Sequence, residues 1–159
     1  MTLAELADSL PNGFHDSAIK RVTVDYEKQT ARLEMSLSVG LPDDPIEKRD
    51  NCRDGLVELF GLQFFMISAP NAKEHLGALG EVWVVDGYDT NEILNSCKEI
   101  TPSLLQSISA GVFTFSFYLN DWNSYIHIAA RKCSLKWLGP EHTRTDSRQP
   151  FLPGETIDI

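Results

Sequence analysis

Cysteine is scarce in this chain of 159 residues, and the three present, Cys52, Cys97 and Cys133, lie far apart and form no C-x-x-C pair. An odd, scattered set supports neither a disulfide framework nor a zinc knuckle, so each reads as a small apolar residue in a reducing compartment. No N-x-S/T sequon occurs. No apolar run approaches the ~20 residues needed to span a bilayer, so no membrane segment is expected. The opening Met1-Thr2-Leu3-Ala4-Glu5 has acid early and no basic stretch, unlike a secretory leader, which makes the cytoplasm the expected compartment. Basic residues are also in deficit, 14 Lys and Arg against 23 Asp and Glu, for a net charge of −9. Nucleic-acid binding needs a basic stripe that displaces counterions, and the one basic cluster, Arg131, Lys132 and Lys136, is too small to supply it. No nucleic-acid partner is expected.

The familiar catalytic signatures are missing as well. There is no G-x-S-x-G, Walker A, G-x-G-x-x-G or H-E-x-x-H. Ser17-Ala18-Ile19-Lys20 matches S-x-x-K, but that chemistry needs a helix to bring Ser and Lys onto one face, and here the motif enters a strand pattern without its S-D-N and K-T-G partners. Asp86-Gly87-Tyr88-Asp89-Thr90-Asn91-Glu92 is rich in oxygen ligands yet fails the EF-hand spacing, and reads as a solvated loop. No metal and no cofactor are expected. His15-Asp16 is the remaining chemical pair. Adjacent residues on an extended chain face opposite ways, so a loop staple is the plainer reading and a pocket pair the sharper one. His127, between Ile126 and Ile128, reads as surface or half-buried.

What the sequence does have is alternation. Ala31, Leu33, Met35, Leu37 and Val39 share one parity, while Arg32, Glu34, Ser36 and Ser38 share the other, which predicts a strand with one buried and one wet face. Val22, Val24 and Tyr26 precede it across the turn Glu27-Lys28-Gln29-Thr30, so a hairpin is expected. Thr2 and Glu5 match a capping box ahead of Leu3, Leu6, Ala7 and Leu10, and Pro11-Asn12-Gly13 ends that short helix. Leu41-Pro42-Asp43-Asp44-Pro45 is a loop by its prolines and acids. From Leu56 to Ile67 apolar residues fall on both parities, a strand covered on both faces with Gly61 as bulge or bend.

Farther on, 71–80 reads as irregular or one helical turn, Glu81 to Val85 as a short strand, and Thr90 and Pro102 as openings of short helical segments. Phe113, Phe115, Phe117 and Leu119 alternate up to the turn Asn120-Asp121-Trp122-Asn123, and Ile126, Ile128 and Ala130 alternate on the return. The expected fold is mostly β: an antiparallel sheet, either a sandwich or a curved half-barrel, with a few short helices. One domain is expected over residues 1–138, with 139–159 as an extended or disordered tail marked by Pro140, Pro150 and Pro153.

Gly13-Phe14-His15-Asp16-Ser17, a strand ending Asp25-Tyr26, and Gly61-Leu62-Gln63-Phe64-Phe65 running to Pro70 together resemble a group of small bacterial β-rich proteins. Their pattern is a Gly-Phe-His-Asp-Ala start, an Asp-Tyr strand end and an aromatic-rich strand closing at proline; Ser17 stands where that pattern has Ala. The group carries no assigned activity and is similar in general pattern to immunity proteins of bacterial toxin systems. The resemblance covers the first half of the chain and implies a partner-binding role rather than catalysis.

Charge distribution suggests where a partner could sit. Residues 81–99 carry Glu81, Asp86, Asp89, Glu92 and Glu99 against Lys98 alone, close to half of the net charge. The expected function is therefore a small acidic protein-binding module of the immunity or inhibitor type, with Asp86, Tyr88, Asp89 and Glu92 as contact residues and a basic protein as partner. The alternative is a β-barrel-like small-molecule binder or hydrolase using His15 and Asp16, which a concave site holding both would favour. A structural subunit, paired with another copy along a free sheet edge, is the third possibility.

Overall fold

A computed structural model describes residues 1–69, 100–120 and 123–144, together with the backbone of 82–89. The chain opens with α1 (Leu3–Ser9), where Thr2 and Glu5 form the expected reciprocal capping box. Then follow β1 (Ser17–Asp25), β2 (Thr30–Ser38), α2 (Ile46–Arg49), β3 (Asn51–Phe60), β4 (Phe64–Ile67), β5 (Val82–Asp89), α3 (Pro102–Gln106), β6 (Phe113–Leu119), β7 (Ser124–Ala130) and β8 (Lys132–Thr143). The eight strands form one antiparallel sheet in the order β4-β7-β6-β5-β1-β2-β3-β8.

The strands at the two ends of that order belong to one ribbon. β3 runs into β4 through Gly61, and β7 runs into β8 through Arg131, so the β3–β8 pairing passes across a corner into the β4–β7 pairing. Arg131 N–H donates to Phe60 O and Gln63 N–H to Ala129 O, which carries the hydrogen bonding around the bend. Gly61 sits at φ +63°, and a Cβ there would fall 2.8 Å from Arg131 side-chain carbons, so only glycine fits without displacement. The sheet therefore bends at that corner, and α1 packs against β8, β5 and β6. Cys133 N–H donates to Met1 O, tying the start of the chain to β8.

The concave face is the core. Leu3, Leu6 and Leu10 from the α1 region meet Leu33, Met35 and Leu37 of β2, Val57 and Leu59 of β3, Phe115 and Phe117 of β6, and Ile126 and Ile128 of β7. Phe14 packs edge-on against Phe115 and Phe117, with centroids 5.8 and 5.0 Å away. A smaller cluster on the opposite face joins Ile100, Leu104 and Leu105 to Phe64, Met66 and Tyr125.

The structure revises several expectations. Ser36 and Ser38 are buried although they lie on the parity expected to be wet, because the chain after β2 folds back over that end. His127 is fully buried rather than half-exposed, since the smaller cluster covers its side of β7. Asp86 and Asp89 are not in a loop: β5 extends through them and pairs with β6, placing Asp86 opposite Tyr118 and Asp89 opposite Phe115. Residues 139–143, expected in the tail, belong to β8, with Glu141 to Thr143 paired to β3. The expected turn at 71–80, the Thr90 helix and residues 145–159 of the tail lie outside the described residues. No helix among the described residues is long and apolar enough to cross a membrane.

Candidate functional site

A concave feature that contains a chemical pair from the sequence lies at one end of the sheet. Asn12, His15, Asp16, Ser38, Gly40, Leu41, Pro42 and Arg49 line a cavity of about 340 Å³. Its first wall is the α1–β1 connection. That segment is fixed from below by Phe14 in the aromatic core, and by the bonds His15 N–H to Asn12 O (3.0 Å) and Ser17 N–H to Phe14 O (3.2 Å). With Phe14 held inward, His15 and Asp16 emerge at the rim. Asp16 has φ +54°, the left-handed region that costs a residue other than glycine about 1 kcal/mol or more. His15 Nδ1 stands 2.9 Å from Asp16 Oδ2, and the two side chains are 55% and 63% exposed. The pair is thus a local staple and a cavity wall at once.

The second wall comes from the β2–β3 connection. Gly40 N–H donates to Asn51 O (3.1 Å), and a Cβ on Gly40 would collide with the carbonyls of Lys48 and Arg49, so the α2 segment can cross here only over glycine. Asp44 N–H donates to Leu41 O (3.0 Å), Leu41 N–H donates to Asp44 Oδ2 (2.8 Å), and Arg49 Nε donates to Asp44 O (2.9 Å). Asn12 Nδ2 joins the two walls by donating to Gly40 O and to Ser38 Oγ. Arg144, just past β8, reaches the backbone carbonyl of Asp16. Leu41 and Ile46 stand out from this scaffold at 45% and 78% exposure.

A second polar group lies on the outer face of β1, β3 and β8. Asp54 Oδ1 meets Lys20 Nζ at 2.8 Å and His142 Nε2 at 3.4 Å. Partial burial pushes the Asp54 carboxyl up, but the Lys20 ammonium, with a smaller contribution from His142, outweighs that and holds it below the ordinary carboxylate range. A third group is buried. His127 Nδ1 lies 2.8 Å from Ser116 Oγ and Nε2 lies 3.4 Å from Ser68 Oγ, with the Tyr125 ring stacked 5.5 Å away. A serine–histidine contact is a nucleophile–base geometry in outline, but Ser116 and His127 are fully buried, so it acts as internal bonding. Among the described residues no set of three or more His, Cys, Asp and Glu could hold a metal ion. Burial raises the Cys133 thiol to about 11, which keeps it protonated.

Of the residues singled out in the sequence, the structure brings His15 and Asp16 into one cavity. It places Asp86, Tyr88 and Asp89 along β5, paired with β6 and past the 82–84 stretch that pairs with β1, and Glu92 lies outside the described residues. Asn12, Ser38 and Arg49 were not anticipated. The hairpin and Gly40-Leu41-Pro42 were the only hints, because the contact between the 12–16 and 38–49 segments arises from strand pairing rather than from spacing.

The sequence matches no known protein family, and no curated protein matches it. Among solved structures the chain is similar to an uncharacterised protein from Neisseria gonorrhoeae, at 14% identity and a TM-score of 0.38, over 77% of this chain and 92% of that one. A likeness this distant carries nothing over.

Proposed function

We propose that the chain is a protein-binding module without catalytic activity, and that its contact surface is the sheet end formed by the β2–β3 connection. The observation that carries this reading is the pairing of exposed aliphatic side chains with a fixed backbone. Leu41 and Ile46 project into solvent from a loop whose turns are closed by Asp44, Asn51 and Arg49. A preformed loop loses little conformational freedom on binding, so apolar anchors on it are worth more than the same residues on a floppy one. Asp43, Glu47 and Asp50 are exposed around them beside Lys48 and Arg49, and this acidic excess together with the overall charge of −9 favours a basic partner. An inhibitor or immunity protein, as the sequence resemblance implies, is a member of this class. The acidic stretch at 86–89 runs along β5 beside β6 and is separate in sequence from the β2–β3 connection.

Affinity capture from the source cell tests the reading. Wild-type protein, Ile46→Asp and the control Leu138→Asp, at an exposed position of β8, are compared. A partner retained by the control, lost by Ile46→Asp and weakened by salt supports the proposal. A partner bound equally by all three forms removes the β2–β3 end from consideration.

A further inference from the structure

The cavity beside that loop has charge chemistry of its own. Asp16 and Arg49 line it together, yet form no ion pair with each other; among the described residues Asp16 pairs with His15, and Arg49 spends only its Nε, on a backbone carbonyl. An acid whose carboxylate meets its histidine neighbour, and a base that meets no carboxylate among the described residues, are in one cavity the two halves of a site for a ligand bearing both charges. The neutral groups divide the same way. Ser38 Oγ already accepts from Asn12, so its own proton is available to donate. Asn12 Nδ2 is used by Gly40 O and Ser38 Oγ, which fixes the amide and leaves its oxygen to accept. Leu41 and Pro42 add an apolar patch to the lining. The volume, about 340 Å³, is at the small end of the range for ligand sites.

We infer that this cavity binds a small zwitterion of the free amino-acid class. Its carboxylate lies on the Arg49 guanidinium and the Ser38 hydroxyl, its ammonium on the Asp16 carboxylate and the Asn12 amide oxygen, and a short apolar side chain meets Leu41 and Pro42. The inference goes beyond protein recognition and does not depend on it.

The test uses the full chain and three matched probes: L-valine, isovalerate, which lacks the ammonium, and isobutylamine, which lacks the carboxylate. Each is titrated at constant ionic strength while the Gly40 amide and the Asn12 side-chain amide are followed by NMR. Valine should give saturable shifts at both positions, and each half-probe should bind at least roughly tenfold more weakly, a loss of about 1.4 kcal/mol. Asp16→Asn, which suits the left-handed backbone, should bring valine down to the level of isovalerate. Arg49→Gln should bring it down to the level of isobutylamine. Ile46→Ser, which removes the exposed apolar anchor without setting a carboxylate one helical turn from Arg49, should leave valine binding within about twofold while abolishing partner capture, so failure of one reading is distinguishable from failure of the other. Isovalerate binding as tightly as valine would make this a plain anion site, and isobutylamine doing so a plain cation site. Either result, or no saturable shift with valine, overturns the inference.

Discussion

The outer surface of the curved sheet has two halves that meet different fates. Over β1, β2 and β3 it is a solvated lattice of cross-strand ion pairs, Arg21 with Glu34, Arg32 with Glu58, and Lys20 with Asp54. Over β4, β7 and β6 it is roofed by Ile100, Leu104 and Leu105, and beneath lie His127, Ser116 and Ser68 with their polar atoms bonded to one another. Both halves alternate polar with apolar residues. Whether a polar side chain becomes a surface ion pair or an internal hydrogen bond depends on what the chain lays over it, which is a tertiary fact.

The widest gap between the halves should come from adding charge. Ser116→Asp puts a carboxylate under the roof and should cost about 4 kcal/mol or more, read from denaturant midpoints. His127→Leu keeps the volume and removes the bonds to Ser116 and Ser68, so a loss of about 2 kcal/mol is expected by the same measurement. Ser38→Asp tests where the bare half ends: Ser38 is 8% exposed beneath the β2–β3 connection, and the change should cost about 1–3 kcal/mol. Arg32→Ala, on the solvated lattice, should change stability by less than about 0.5 kcal/mol. A large effect there, or a small one at Ser116, would erase the distinction.

The subtlest expectation concerns pH. The Asp54 carboxyl titrates below its ordinary range in the folded protein, so its contribution is complete above about 3.9, the value of an unperturbed aspartate. As pH falls past that point the unfolded chain takes up its proton first, and the contribution is lost as pH drops through the lowered folded value. Asp54→Asn should therefore lower the neutral plateau of a stability-versus-pH curve and flatten its acid limb, so that the mutant and wild-type curves converge at low pH. An unchanged acid limb would show that Lys20 and His142 do not hold this carboxylate in solution.

Much of the sheet could be read from alternation alone. The inward residues Leu33, Met35, Leu37, Phe115, Phe117, Ile126 and Ile128 were all expected, as were the helix cap at Thr2 and the bend at Gly61. Period-2 patterning reports one face only, however. It left the second face of β2 and β7 to be guessed, and Ser38 and His127 were both placed too close to water. The 86–89 stretch was read as a solvated loop because its oxygen-rich run fails the EF-hand spacing; Asp86, Gly87 and Asp89 are poor strand formers, but pairing with β6 overrides that preference. Half of the cavity was legible as His15-Asp16. The other half was not, because Ser38 and Arg49 reach it through the β1–β2 and β2–β3 pairings, which spacing does not encode.

The shared corner at Gly61 and Arg131 also bears on how the chain reaches this fold. Asn51 pairs with Thr143 and Phe60 with Lys132, so the β3–β8 ladder joins residues separated by roughly half of the sequence. Ladders of that span carry a large loop-closure entropy before any bond repays it, and they place the protein among slow, high-contact-order folders. The β1–β2–β3 meander can assemble from neighbours in sequence, but β3 must then keep one edge unpaired until the far strand arrives. That waiting edge is the point in folding at which association with another copy competes with completion. Because the same ribbon holds both ends of the sheet order, its closure should be the step that makes exchange protection rise across both halves together.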